Sequence, residues 1–335
     1  MPKPTLANIV EPNLEFYSIF SPEELLELIT ALENSREIPL KYSYKGRGAT
    51  IWDNFYQKYI LPKWYQPSSV EIELLQHNFN YINGVYQNCL SLNIIDVGAG
   101  NSYPVKKFIS QLDKLGKIQQ YIALDISQEL LKLSQANFQK WFPKIAYSSY
   151  PLDIESIPIP AKMWQNSSQP DVPNIFLHLG VTIGNHRHRN RAWQNFRHSM
   201  KSNDLLVFTN EIGDNSQWDG QVRGGCKYHV DGIYNSLMNK LGINAADCQL
   251  LRKYDIKTDS VIATMQFLQN YTFRFNKLGV DKTVEILSGE ELTIWRHHKH
   301  QMPELMQELE AAGLKLVHYS FNKYSTHIMG ICQVV

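Results

Sequence analysis

Apolar and polar positions follow different rhythms in different parts of the chain. Residues 21–34, SPEELLELITALEN, predict a capped helix: Ser21 is the cap, Pro22 suits the first helical position and Glu24 completes a capping box. The next stretch is rich in Tyr and Trp, broken by Gly and Pro, and loop-like at both ends. It carries a short helix around 49–59, and a further helix starts after Ser68 or Ser69 and runs through Leu75. From about residue 92 the pattern changes. LNIIDVGAG is an apolar run into a glycine turn, PVKKFISQLDKLG is helical with Gly116 as its stop, and QQYIALDIS is a second buried strand ending in an acid. SQELLKLSQANFQKWF is a helix capped by Ser127, and IAYSSYPLDIES a third strand. VPNIFLHLGVTIGNH is a fourth strand ending in a Gly/Asn turn, HRNRAWQNFRHSM a helix and DLLVFTNEIG a fifth strand. Strands alternating with helices predict a parallel, doubly wound α/β sheet covered on both faces.

After about residue 212 the alternation stops. Residues 226–241 and 244–254 read as helices, and YTFRFNKLGVDKTVEIL as antiparallel strands joined at Gly279. MPELMQELEAAGLKLVHYSF and HIMGICQVV give a helix and two strands, the last fitting the end of a doubly wound sheet. The expected organisation is an α/β core over 75–211 and 299–335. A second α+β domain is expected from 1–74 and 212–298.

Composition narrows the function classes. Of 335 residues 43% are hydrophobic and 19% charged, which suits a folded globular chain. The formal net charge of +1 advertises no long-range attraction to nucleic acid or to an anionic membrane. Cys89, Cys226, Cys248 and Cys332 are scattered without a CxxC pair and read as reduced thiols of a cytoplasmic protein. The N-terminal segment does not read as a signal peptide, and no apolar run approaches the roughly 20 residues of a membrane span. Aromatic residues reach 12%, which fits either an aromatic-lined pocket or an aromatic core.

The chemistry gathers at NIIDVGAGNSYPVKKFI. In doubly wound folds ligands sit at the carboxyl ends of the strands near a topological switch, where a glycine lets backbone approach and a second-strand acid takes ribose hydroxyls. Gly98 and Gly100 supply the first feature; Asp125, 25 positions beyond Gly100, supplies the second. A dinucleotide fingerprint needs a third glycine, but position 103 is Tyr, which counts against a nicotinamide dehydrogenase. The competing structural explanation is a helix–sheet turn that merely needs small residues.

DVGAGNS…ALDIS resembles the first two motifs of class I S-adenosylmethionine-dependent methyltransferases, with Asp153 of PLDIES in the place of a third-strand acid near the adenine. Three more stretches resemble the histidine Nα-methyltransferases of ergothioneine biosynthesis. FLHLGVTIGNH is similar to their "GSTIGN" segment and YSYKGRGATIWDNFYQKYILPKWYQPSSVE to their "YDxxGSxLF…YYPTRxE" region. LSGEELTIWRHHKHQMPELMQELEAAGL is similar to their "GExIxTExSxKY…aGF" region. The resemblance spans about 40–335 and implies a Rossmann-like core with a substrate-recognition domain. It implies that Gly98, Gly100, Ser102, Asp125 and Asp153 border S-adenosylmethionine. Asn185 would then hold an amino acid substrate's amino and carboxylate groups. Tyr44 matches the first Tyr of "YDxxGS" and Tyr65, with a one-residue slip, the Tyr of "YYPTR"; both are the candidates for orienting the reacting group. Asn185 as a helix-capping turn residue and the tyrosines as core packing are the structural alternatives.

The sequence departs from that family where the substrate side chain is gripped. The "TExS" acid and serine fall on Trp295 and His297, so histidine itself is not the expected substrate. "YD" has become Tyr44-Lys45, and the basic residue early in the first loop's helix is Pro104. The expected reaction is methyl transfer to the α-amino or α-carboxyl group of an amino-acid-like substrate or peptide terminus in natural-product biosynthesis. An amine must lose a proton before attack, whereas a carboxylate needs no base; no dedicated base is evident. Two rival classes are a nucleic-acid methyltransferase and a cofactor-binding protein without catalysis. RHRNRAWQNFRH is basic and aromatic, but Arg187, Arg191 and His198 read as a solvated face. The clusters His186/His188 and HHKH at 297–300 lack a Cys or Glu completing a ligand set, so they read as surface or substrate-facing imidazoles rather than a metal site. No nucleic-acid or membrane partner is expected.

Overall fold

The computed structural model describes residues 7–60, 70–164, 172–221 and 225–335. The chain begins with strand β1 (Asn8–Val10), a single turn α1 (Leu14–Tyr17) and helix α2 (Pro22–Ser35). The capping box is present on α2: Ser21 Oγ accepts from Glu24 N at 3.2 Å, and Glu24 Oε2 accepts from Ser21 N at 3.0 Å. Helix α3 (Arg47–Phe55) continues into a π-helical turn, Tyr56–Ile60. Helices α4 (Val70–His77) and α5 (Phe79–Val85) precede the alternating region. There β2 (Leu92–Val97), α6 (Lys106–Lys114), β3 (Ile118–Asp125), α7 (Gln128–Trp141) and β4 (Ala146–Pro151) follow one another. Next come β5 (Asn174–His178), the one-turn helix α8 (Thr182–Asn185), α9 (Arg189–Ser199) and β6 (Leu205–Glu211).

After α10 (Gly225–Leu241) lie β7 (Cys248–Asp255), β8 (Ser260–Phe267), β9 (Tyr271–Phe275), β10 (Lys282–Ile286) and β11 (Glu291–His297). The chain ends with α11 (Met302–Ala311), β12 (Leu314–Phe321) and β13 (His327–Val334). Two features differ from the sequence reading. The helix expected over 244–254 is strand β7, whose backbone gains a full antiparallel ladder with β8 from Cys248↔Phe267 to Asp255↔Ser260. The Gly/Asn turn after the fourth core strand winds into α8, entered through Gly180 at φ +79°.

The chain divides into two compact units: 1–55 with 215–297, and 56–214 with 298–335. The larger unit is a seven-stranded sheet in the order β12-β13-β6-β5-β2-β3-β4. Only β13 runs against the others, pairing antiparallel with both β6 and β12. One face packs Ile94, Phe108, Tyr121, Leu177 and Val207; the other packs Ile95, Ile122, Phe176, Trp193 and Phe208. A strand buried on both faces needs apolar side chains at successive positions, which is why LNIIDV and LLVF read as continuous runs. Helix α4 belongs to this unit, because Val70, Leu74 and Leu75 pack into the first of those faces; the sequence-based boundary at 74/75 had put it with the other domain. The smaller unit contains two three-stranded sheets, β1-β9-β10 and β11-β8-β7, over a core that includes Phe16, Leu28, Phe273, Phe275 and Ile294.

Candidate active site

The topological switch of the large sheet lies between β2 and β5. From β2 the chain steps outward through β3 and β4 on one side and β5 and β6 on the other. The loop 98–102 leaves the carboxyl end of β2 there. Gly98 (φ +77°) and Gly100 (φ +53°) adopt backbone conformations that a side chain disfavours. Both Gly98 N and Ala99 N donate to Leu124 O, at 2.8 and 3.1 Å. Asp125 ends β3 and ties the loop down: Oδ2 accepts from Gly100 N at 3.0 Å and Oδ1 from Ser127 N at 2.9 Å. Burial pushes its carboxyl up to about 6, against the lowering effect of those backbone donors. Each oxygen keeps a lone pair for a further donor.

Ser102 is fully buried and sits at φ +60°. Its hydroxyl is taken up inside the fold, 2.9 Å from Tyr121 Oη and 2.6 Å from Ser134 Oγ, so it is a loop anchor by its contacts. Tyr121 in turn donates to Asp96 Oδ2 at 2.5 Å, and Ser134 lies 2.9 Å from Tyr147 Oη. Burial raises Asp96 to about 7 despite the tyrosine hydrogen bond. This polar chain beneath the loop went unnoticed in the sequence, where Asp96 looks like any acid at a strand end.

Asp153, after β4, accepts from Ser156 Oγ at 2.7 Å and Glu155 N at 3.0 Å, an Asx turn that shapes the 152–157 segment. Asn185 is the last residue of α8, partly exposed. Near it stand two residues the sequence reading did not connect. His178 ends β5 with its Nδ1 2.9 Å from Val97 O, across the switch point. His186 stacks on it, rings parallel within 3° and centroids 5.5 Å apart, and its Nδ1 lies 3.4 Å from Glu155 Oε2. Glu155 also accepts from His188 N at 2.6 Å. Burial pushes Glu155 up, but the hydrogen bonds and charge of His186 and His188 outweigh it and hold the carboxyl at about 2. Burial, reinforced by His186, lowers His178 to about 3. A histidine closing the apolar run NIFLH was the available signal.

The second histidine cluster is not a surface feature. His298 and His300 are fully buried. His298 Nε2 is 3.0 Å from Glu304 Oε2 and His300 Nε2 is 3.2 Å from Glu308 Oε2. Glu308 also takes Trp193 Nε1 at 2.9 Å and Arg189, so the cluster ties α9 to α11. Arg187, Arg191 and His198 are exposed.

In the smaller unit Tyr44 is half-buried, its ring 5.6 Å from His229, and Phe55 stacks on His229 at 5.9 Å. Trp295, only 9% exposed, belongs to the unit's apolar core and lies 6.1 Å from His297, which is also buried. Strand β11, which carries both, is pinned by the buried Arg296–Glu37 pair at 2.9 Å. The structure thus brings Gly98, Gly100, Ser102 and Asp125 together in the large unit, and Trp295 with His297 in the small one. Tyr65 lies outside the described residues.

A sheet of this order with one reversed strand, a positive-φ glycine loop at its switch point and a second-strand acid holding that loop define a Rossmann-like, class I methyltransferase core. The family of histidine-specific, S-adenosylmethionine-dependent methyltransferases matches residues 24–217, and the chain belongs to it. It is an S-adenosylmethionine-dependent methyltransferase. No curated protein matches the sequence. Solved structures similar to it include a S-adenosylmethionine-dependent methyltransferase from Clostridium acetobutylicum ATCC 824 (TM-score 0.47, 12% identity, 85% of this chain and 98% of that one). Others are the CcbJ methyltransferase from Streptomyces caelestis (0.44, 10%, 77% and 90%) and DesVI from Streptomyces venezuelae (0.43, 10%, 86% and 98%). Among the described residues no helix is long and apolar enough to cross a membrane.

The loop fits the cofactor. A Cβ at Gly98 would stand at ordinary contact distance, 3.6 Å from Thr182 Cγ2 and 4.0 Å from His178 Nδ1, so it is the φ of +77° rather than lack of room that calls for glycine there. If the loop serves as it does in the family pattern, Gly98, Gly100, Asp125 and Asp153 would hold S-adenosylmethionine, whose sulfonium would supply an electrophilic methyl group. The protein's own part is to align the acceptor and to leave it with a free lone pair.

Proposed function

We propose that the enzyme methylates the α-amino or α-carboxyl group of an amino-acid-like substrate or peptide terminus, in natural-product biosynthesis, and that histidine is not its substrate. The large unit holds the cofactor and the small unit selects the acceptor. The observation that carries the reading is Trp295. It stands where the histidine Nα-methyltransferases place an acid, and here the position is an indole in an apolar core beside His297. The acid on the same strand, Glu291, is engaged by Lys253 Nζ at 2.7 Å and Thr264 Oγ1 at 2.7 Å. Among the described residues the carboxylates on or against β11, Glu291 and Glu37, are both already paired, so an imidazole N–H would have to compete for them, while an apolar or aromatic side chain would pack on the indole. On the family pattern, Asn185 of the large unit is the residue that takes the amino acid's backbone groups. Cys89, Cys248 and Cys332 are free thiols, which supports a reducing, cytoplasmic setting.

The test is a mass-spectrometric panel of amino acids and short peptides with S-adenosylmethionine. Methylated product from apolar or aromatic members, and none from histidine, is expected. Turnover of histidine at the best rate in the panel overturns the reading.

A further inference from the structure

His178 and His186 share a constraint that fixes their chemistry. Val97 O, which faces His178 Nδ1 at 2.9 Å, can only accept, so that nitrogen carries the hydrogen. The Glu155 carboxylate, facing His186 Nδ1 at 3.4 Å, imposes the same tautomer on the second ring. In the neutral ring, each Nε2 therefore presents a lone pair. Both are buried and have no hydrogen-bond partner among the described residues. Two stacked imidazoles with buried, unpartnered acceptors, beside an ionised carboxylate, form a site for a donor-rich cation. A carboxylate placed there would meet lone pairs and a like charge. His178 lies at the switch point, its Nδ1 4.0 Å from a Cβ at Gly98, and His186 follows Asn185 in the chain.

Resting on the amino-acid-like reading above, we propose that His186, oriented by Glu155 and backed by His178, takes a proton from an ammonium group of the methyl acceptor, so that the acceptor is an amine rather than a carboxylate. The proton passes from the ammonium nitrogen to His186 Nε2. The electron pair of the broken N–H bond stays on nitrogen as the nucleophilic lone pair. The imidazolium is stabilised by Glu155 and gives its proton to water that reaches Nε2 once the product has left. This is the nucleophile–base–orienter logic with the substrate amine as nucleophile. His186 is the catalytic base; Glu155 and His178 are positioning residues. Among the described residues, the titratable groups tied to the base are Glu155, 3.4 Å from its Nδ1, His178, stacked on it, and His188, whose backbone N–H shares Glu155. Burial keeps His178 neutral at working pH, so it adds no repulsion when His186 charges.

Two measurements test this. The first needs no acceptor: 15N spectra of the imidazoles at pH 8, with and without S-adenosylhomocysteine. Both rings are expected as Nδ1–H tautomers, with Glu155→Gln moving the His186 signals. A hydrogen on His186 Nε2 in the native protein overturns the proposal. The second uses an acceptor from the panel. His186→Asn is expected to lower kcat by about 10²–10³-fold at pH 7 with S-adenosylhomocysteine affinity unchanged, the residual rate climbing about tenfold per pH unit. Glu155→Gln should lose less and shift the pH profile. An undiminished rate in His186→Asn, or a methyl ester as the wild-type product, sinks the base assignment. A panel without any methylated product counts against the acceptor reading, and the imidazole spectrum then decides the base assignment alone.

Discussion

Asp125 does two jobs with one carboxylate: it holds Gly100 N from the loop and Ser127 N at the start of α7. Replacing it with Asn keeps the shape but removes the charge and one acceptor. Hydrogen bonds to charged groups contribute about 1.5–3 kcal/mol. Asp125→Asn should therefore weaken S-adenosylhomocysteine binding about 10–100-fold by calorimetry while the far-ultraviolet spectrum stays native. An unchanged Kd would mean the carboxylate serves the loop alone. At this scale the sequence was readable where a contact follows from one βαβ unit. Gly98, Gly100 and Asp125 flank one helix, so their spacing announces their meeting. His178 and Val97, 81 positions apart, meet only because β5 lies beside β2, and nothing in either segment foretells that. Ser102 was legible as a loop residue but not as part of a buried chain, because Tyr121, Ser134 and Tyr147 come from three later elements.

Elements were legible when one period dominated. The core strands and their helices are two-sided or one-sided burial written directly in residue order. Strand β7 was not legible: CQLLRKYD places Leu250 and Leu251 side by side, which suits a helix face as well as a half-buried strand. The ladder with β8 decides it, and that is a tertiary fact. The reversed strand β13 carries a sharper requirement. Gly330 pairs with Phe208 of β6, and a Cβ there would stand 2.4 Å from Phe208 Cζ and 3.1 Å from Leu316 Cδ1. Gly330→Ala overpacks a sheet interior and should cost about 1–3 kcal/mol, read as a lower urea midpoint. Adding Phe208→Leu should return part of that loss, since the two sites share one space. Strict additivity of the two losses would place the strain elsewhere.

For the whole molecule, a formal net charge of +1 says little about acid stability, because the groups that matter are buried in opposite senses. His178 and His229 sit at about 3 and about 4, below an unfolded value near 6.5, so the unfolded chain binds more protons and stability falls as pH drops below 6.5. Asp96 and Asp125, raised to about 7 and about 6, do the reverse: they stay protonated in the fold, and stability falls as pH rises from about 4 towards 7. Between pH 5 and 6.5 the two histidines and the two aspartates offset each other, and the total unfolding free energy should be nearly flat. Below pH 4.5 the compensation ends. Glu155 and Glu308, held at about 2 chiefly against burial by their histidine and arginine partners, must then take up protons on unfolding, and stability should drop steeply. Asp96→Asn exposes the balance. It removes one of the opposing groups, so between pH 5 and 6.5 the variant should gain stability at close to one proton's worth of slope, about 1.4 kcal/mol per pH unit. Urea titrations of wild type and variant across that range measure it. A variant profile as flat as the wild type's would mean Asp96 is ionised beneath the loop, with Tyr121 and Ser102 stabilising its charge rather than sharing its proton.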